Sequence, residues 1–320
     1  MQTDAGEDGR SKPMEFFNYK GVKFAKHMIF SEENLHFVEN EFQVLDDDIY
    51  NVTYPKSGTT WMIEILSLIC SNGDVAKAKI KTVPNYTRCP WYESTIGMKQ
   101  IETLTPPRIL TSHLPCHIFA KSFFTSNAKI IYTIRNPKDI IVSWYHYGKI
   151  SLLLQCPEDF EEHLDCFLKG DFLYGSWFDH VWGWIQMKSS KNFFFITYEE
   201  LQQDLRGSVM RICDFLGKKL DEAAIDSVLE NTSFNIMKDN KMANYSYAGK
   251  SAVDLSKGSF MRKGGEMREG ISGDWKNQFT VAQSERFDRI YREKMKNFPV
   301  KFNWDEDGTE ENPGSVTHTS

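Results

Sequence analysis

The sequence predicts an α/β fold: a single domain with a central parallel sheet flanked by helices. Three observations carry the prediction. Segments 49–54, 129–134 and 193–198 are short runs rich in Ile, Val, Phe, Tyr and Thr, as expected of strands in a sheet covered on both faces. Each is followed by a stretch with helical apolar spacing, and strand–helix alternation is the pattern of a parallel sheet. No internal repeat and no Pro/Gly/Ser-rich linker divides the chain between residues 14 and 304.

Residues 1–13 are polar and predict a disordered N-terminal tail. The first strand, Ile49–Tyr54, runs into Pro55-Lys56-Ser57-Gly58-Thr59-Thr60. Trp61 to Cys70 then reads as a buried helix, apolar except for Glu64 and Ser67. The second strand, Lys129–Ile134, ends at Arg135. Asn136 fits a helix N-cap, Pro137 the first helical position and Asp139 the first turn. The third strand, Phe193–Tyr198, precedes Glu199-Glu200-Leu201, where another helix is expected. A last helix is expected over 284–296. Residues 305–320 form an acidic, then small and polar tail with one aliphatic residue, Val316, too little to repay the entropy of ordering it.

Composition narrows the function. The 320 residues carry a net charge of −6, which argues against nonspecific binding to nucleic acid or membranes, so any anion site must come from local clustering. Cysteines 70, 89, 116, 156, 166 and 213 are scattered without a C-x-x-C pair, and they predict neither a disulfide framework nor a zinc site. No apolar leader and no run of about 18 apolar residues is present, so the expected location is the reducing cytosol.

The segment between the first strand and its helix is the most informative. A strand, a tight loop holding Lys, Ser, Gly and Thr, and a helix N-terminus together make an anion cradle, which predicts a phosphate-bearing ligand. The order of residues departs from G-x-x-x-x-G-K-[ST], because Lys56 precedes Gly58. In open parallel sheets ligands bind beyond the carboxyl ends of the strands, where both the Lys56 loop and Arg135 are expected.

Several motifs in order resemble the cytosolic sulfotransferases. Tyr54-Pro55-Lys56-Ser57-Gly58-Thr59-Thr60-Trp61 is similar to their 5′-phosphosulfate loop. Arg135-Asn136-Pro137-Lys138-Asp139, continuing to Ser143, is similar to their 3′-phosphate segment. Arg262-Lys263-Gly264, followed by Gly273-Asp274-Trp275-Lys276, is similar to their C-terminal signature. The resemblance spans about residues 20–304. Within the family, Thr111-Ser112-His113-Leu114-Pro115, Cys89-Pro90-Trp91-Tyr92-Glu93 and Gly175 to His180 resemble the hydroxysteroid (alcohol) subfamily.

That resemblance implies a P-loop-like sulfotransferase fold. It also implies the donor 3′-phosphoadenosine 5′-phosphosulfate (PAPS), the product 3′,5′-adenosine bisphosphate (PAP) and no metal. The implied acceptor is a cholesterol- or pregnenolone-like 3β-hydroxysteroid or a related alcohol. His113, one of eight histidines, becomes the general base, and Lys56 the group that stabilises charge on the departing phosphate. Ser57, Gly58, Thr59 and Thr60 would hold the 5′-phosphate, with Trp61 on the adenine side. Arg135 and Ser143 would hold the 3′-phosphate, an arginine fork suiting that anion. Tyr198, Thr232, Ser233, Phe234 and Met237 match adenine contacts, and Phe260, Met261, Arg262, Lys263 and Gly264 the closing segment. Trp91, Tyr92, His113, Trp144, Tyr145, Tyr147 and Tyr245 are acceptor-site candidates, although core packing explains each aromatic equally well. Lys276, Thr280, Val281 and Glu285 match the family's short dimer motif and imply a small, weak homodimer contact.

Two departures stand out. Ser112 occupies a position where phenol-type members carry a helper lysine. The C-terminal signature is six residues longer than usual, so either Arg262-Lys263-Gly264 or Arg268-Glu269-Gly270 could meet the 3′-phosphate. Like-charge opposition from Glu269 disfavours the second register. From sequence, two other functions stay open: an ATP-dependent small-molecule kinase and a non-catalytic nucleotide-binding scaffold. The order of Lys56 and Gly58 counts against the first, and the presence of both Lys56 and His113 against the second.

Overall fold

A computed structural model describes residues 15–26, 30–151, 157, 159–247, 253–258, 260–261 and 272–305. Arg262, Lys263, Gly264 and Arg268 lie outside these residues, as do residues 1–14 and 306–320.

The six strands are β1 (Phe16–Tyr19), β2 (Val22–Ala25), β3 (Ile49–Thr53), β4 (Ile109–Ser112), β5 (Lys129–Ile134) and β6 (Phe193–Thr197). β4, β3, β5 and β6 form one sheet in that order, with every pair parallel. The three expected strands are its centre and one edge. The other edge, β4, has only four residues, two of them Thr and Ser, too few for an apolar run to show. β1 and β2 form a separate antiparallel hairpin, closed by Lys20 and Gly21, both at positive φ as a type I′ turn requires.

Alternate strand residues serve two cores. Ile49, Ile131 and Ile196 pack with Met62, Ile65, Leu66 and Ile69 of the helix Thr59–Cys70 and with Val209, Ile212 and Val228. Tyr50, Val52, Ile130 and Tyr132 point the other way, into a larger aromatic core with Phe119, Trp144 and Trp184. This two-sided burial is why the strands read as continuous apolar runs.

The helix Pro137–Ile150 starts as expected: Asn136 caps it by accepting the Lys138 N–H at 2.9 Å, and Pro137 opens it. Two expectations need correction. Tyr198 does not end β6 but begins the helix Tyr198–Gln203, because Thr197 and Glu200 form a reciprocal capping box that starts the helix there. The last helix begins at Val281 rather than 284, since Thr280 caps it by accepting the Gln283 N–H. Among the described residues no helix is long and apolar enough to cross a membrane.

The entry edge of the sheet is held by a buried ion pair. Asp48, just before β3, accepts Arg108 Nε at 2.7 Å and Nη2 at 2.5 Å, and it also accepts the Leu45 N–H at 2.9 Å. Asp48→Ala would strand the Arg108 charge in a desolvated site. The expected loss of unfolding free energy is about 3–5 kcal/mol, read from urea denaturation, with partial recovery on adding Arg108→Met.

Candidate active site

Because the four strands are parallel and in register, their carboxyl ends share one edge of the sheet. Val52 pairs with Ser112, Thr53 with Thr133 and Ile134 with Thr197. The next residues along each strand are therefore neighbours: the Lys56 loop after β3, His113 after β4, Arg135 after β5 and Tyr198 after β6.

The Lys56 loop is wound by two left-handed residues, Lys56 at φ 71° and Gly58 at φ 96°. Gly58 occupies the N-cap of the helix Thr59–Cys70 and offers no side-chain cap, so the helix begins with N–H groups that no cap takes up. A Cβ at Gly58 would lie 2.7 Å from Cδ2 of Tyr198, so only glycine admits this ring. The Lys56 ammonium sits over two aromatic faces, 4.0 Å from the Tyr147 ring centre and 5.0 Å from that of Phe260.

Arg135 reaches the same loop. Its Nη1 donates to the Lys56 carbonyl at 3.0 Å, and its guanidinium lies 4.3 Å over the Tyr198 ring. Trp61 also meets that ring, edge-on, 5.3 Å between centres. Three buried donors here have no partner among the described residues, Ser57 Oγ, Trp61 Nε1 and Arg135 Nε, and neither has the Glu199 Oε2 acceptor, whose charge interacts with Arg135. Native proteins rarely leave such groups unsatisfied, and a cluster of unsatisfied donors fits an anionic ligand. Ser143 is half-buried, two turns into the helix Pro137–Ile150 and one turn from Tyr147, on the same face.

The 232–237 segment approaches from the side. Gly73, just past the helix Thr59–Cys70, accepts the Ser227 hydroxyl at 2.7 Å, and Val228 of the helix Glu222–Asn231 shares the core with Met62 and Leu66. Thr232 ends that helix, its hydroxyl donating to the Val228 carbonyl. Ser233 precedes the short helix Phe234–Asp239, in which Met237 is buried. Among the described residues no hydrogen bond, ion pair or ring contact joins Thr232, Ser233, Phe234 or Met237 to the loop. Phe260 packs on Tyr147 and Tyr245, at 5.8 and 4.1 Å between ring centres, with Met261 beside it in sequence.

His113 is held on every side but one. Its Nδ1 lies 2.8 Å from the Thr53 carbonyl, which can only accept, so Nδ1 carries the proton and Nε2 keeps its lone pair. Its main-chain N–H donates to Glu93 Oε1 at 2.8 Å. Trp91 and Tyr174 stand against the ring, at 5.8 and 5.2 Å. Burial pulls the imidazole down to about 4; the Thr53 bond opposes this and the Lys56 charge reinforces it. Burial also pushes the Glu93 carboxyl up to about 7, against the hydrogen bond it accepts from the His113 N–H.

The remaining acceptor candidates divide. Trp91 and Tyr147 flank His113 and Lys56. Tyr92 is fully buried among Phe42, Tyr50 and Phe119, and its hydroxyl accepts the Ala120 N–H at 3.3 Å. Trp144 packs on Tyr54 and Phe172, and Tyr145 on Phe160 and His163. These three do the core packing that was their alternative reading. Sequence reasoning missed Thr53, Tyr174 and His180 at the site, and gave Glu93 no role. Tyr174 carries a positive φ of 66° that no sequence signal announces.

A Sulfotransferase domain model matches residues 46–299. The chain belongs to the sulfotransferase family. Human Sulfotransferase 2B1 is 49% identical over 310 residues, covering 97% of this chain and 82% of that protein. The 3-beta-hydroxysteroid sulfotransferase of Cavia porcellus is 46% identical over 289 residues, covering 90% and 97%. Among solved structures, mouse sulfotransferase SULT7A1 complexed with PAP superposes with a TM-score of 0.73 at 32% identity, covering 88% of this chain and 95% of that one. Family membership sets aside the kinase and scaffold alternatives. In this sulfotransferase the matched region contains the whole sheet and every described strand-end residue of the site.

The burial of His113 has a measurable consequence. With its folded value about 4, the imidazole should stay neutral from neutral pH down to about that value, instead of titrating near 6.5. The sign follows by linkage: His113 costs no stability above 6.5, and its contribution is lost as pH falls from 6.5 toward 4, where only the unfolded chain takes the proton. Histidine NMR of the ligand-free protein, assigned against His113→Gln, checks it; a midpoint at 6.5 would show that this half-buried ring is not desolvated.

Proposed function

We propose that this sulfotransferase moves the sulfuryl group of PAPS to the hydroxyl of a 3β-hydroxysteroid or related alcohol, with His113 as general base and Lys56 as the charge-stabilising cation. The observation that carries the reading is the His113 tautomer. Nδ1–H is committed to the Thr53 carbonyl, so Nε2 is the one ring atom left to take a proton. Thr53 is the last residue of β3, and three residues later the same chain presents Lys56. Base and cation are thus carried by one short stretch of backbone.

The chemistry then balances. The acceptor oxygen forms a bond to sulfur, the bond from sulfur to the bridging oxygen breaks, and PAP leaves with that electron pair. The hydroxyl proton passes to His113 Nε2, and the Lys56 ammonium offsets charge on the bridging oxygen. Ser57, Gly58, Thr59, Thr60 and Trp61 hold the 5′-phosphate end, and Arg135 with Ser143 the 3′-phosphate. The unsatisfied Ser57 Oγ and Arg135 Nε support those roles. Phe260 and Met261 close over the nucleotide, and the Arg262, Lys263 and Gly264 register is carried over from the sequence resemblance. With serine at position 112, the proton and charge work falls to His113 and Lys56. The steroid assignment rests on the hydroxysteroid sulfotransferase relatives and on the apolar walls that Trp91 and Tyr174 place beside His113.

Transfer of labelled sulfate from PAPS to pregnenolone, cholesterol, simple phenols and aliphatic alcohols tests the reading. Steroids should be the best acceptors. His113→Ala should lower kcat by about 10²–10⁴-fold while PAP affinity stays unchanged; no transfer to any alcohol by the wild type would refute the reading.

We also propose a homodimer through Lys276, Thr280, Val281 and Glu285. Val281 is 75% exposed at the first position of the helix Val281–Lys294, an unusual place for a bare aliphatic side chain. Val281→Glu should shift sedimentation from dimer to monomer without loss of turnover per chain. An unchanged dimer would rule this contact out.

A further inference from the structure

The main chain of His113 is tied to a helix that the proposed mechanism does not otherwise use. His180, wholly buried in the helix Trp177–Ile185, places Nε2 at 3.2 Å from the His113 carbonyl. A carbonyl cannot donate, so this Nε2 bears the proton. The other ring nitrogen, Nδ1, lies 2.8 Å from the Tyr132 hydroxyl of β5 and accepts from it. Both nitrogens of His180 are therefore satisfied in one tautomer only. One helical turn on, Trp184 Nε1 donates to the next carbonyl, that of Leu114, at 3.1 Å. Two side chains of one helix thus hold two successive carbonyls at the exit of β4. His180 also packs edge-on against Tyr54, 5.5 Å between ring centres, and Tyr54 leads into the Lys56 loop.

We propose that His180 is a positioning residue for sulfuryl transfer: it fixes where His113 Nε2 stands relative to the Lys56 loop by gripping the His113 carbonyl while packing against Tyr54. The inference rests on His113 being the base. His113 has three other hydrogen-bonding groups besides Nε2, and each has one partner: Glu93 for the N–H, Thr53 for Nδ1 and His180 for the carbonyl. The first two anchors come from the 91–94 segment and β3. His180 is the one that ties the base to the large aromatic core, through Tyr132 and Trp184.

The test compares glutamine and asparagine at position 180. The glutamine amide nitrogen can stand where Nε2 stands and still reach the His113 carbonyl; the asparagine nitrogen falls short. His180→Asn should lower kcat about 10- to 100-fold, the loss expected when a catalytic group is misplaced by about 1 Å. PAP affinity and the KM for the steroid should stay within about twofold, and His180→Gln should recover most of the lost turnover. In the ligand-free protein, the His113 Nδ1–H resonance should shift in His180→Asn and return in His180→Gln. A merely structural role for His180 would lower the folded fraction in both variants alike and leave kcat per folded site unchanged; equal turnover in the two would overturn the proposal. His113→Ala, run in parallel, separates the two claims. Full activity there would remove His113 as the base, whereas full activity in His180→Asn with an inactive His113→Ala would remove only His180.

Discussion

The hydrogen bond from His113 Nδ1 to the Thr53 carbonyl is the contact on which the site depends. It joins the exits of two neighbouring strands, and it can form only because β3 and β4 run parallel in the observed register. It selects the tautomer of the ring, and it links the ring to the backbone that three residues later becomes Lys56. If β4 slipped by one residue, His113 would turn to the other face of the sheet. Sheet register therefore sets where His113 stands relative to the Lys56 loop.

Cationic groups here are handled with aromatic surfaces. Lys56 lies over Tyr147 and Phe260, and Arg135 over Tyr198. A ring face attracts a cation without neutralising it. A carboxylate placed beside Lys56 or Arg135 would compete with any anion arriving there, and a ring does not. Glu199 is close enough to Arg135 for the two charges to interact, and only its Oε1 is occupied, accepting the Asn136 N–H at 3.1 Å and the Ser272 hydroxyl at 3.0 Å, while its buried Oε2 has no partner among the described residues. Burial raises its carboxyl above the usual range, against the pull of Arg135.

What the sequence could reveal follows from where each signal resides. β3, β5 and β6 were legible because two-sided burial writes an unbroken apolar run. β4 was not, because four residues ending in Thr-Ser carry no such run; its position became clear only through pairing with β3. Tyr198 was misassigned because an aromatic after Phe-Phe-Phe-Ile-Thr looks like strand, while the capping box at Thr197 and Glu200 starts a helix. The Lys56 loop and Arg135 were legible because their chemistry is local to a strand end. His180 and Tyr174 were not, because their contacts with His113 arise across 67 residues for His180 and a comparable stretch for Tyr174, joined only by packing. Glu93 was visible in a family-like segment, yet nothing in that segment shows that its carboxylate holds the His113 N–H.

The approach of Tyr198 to Gly58 has a further consequence for how this protein can vary. A side chain at position 58 meets the ring at 2.7 Å, and it must also adopt φ 96°, which L-residues rarely tolerate. Trimming the ring at position 198 would relieve the first penalty and leave the second, while removing the surface on which Arg135 rests. No single compensating exchange is open to the pair. Natural drift and directed evolution are therefore closed off at this corner and must proceed through residues on its periphery.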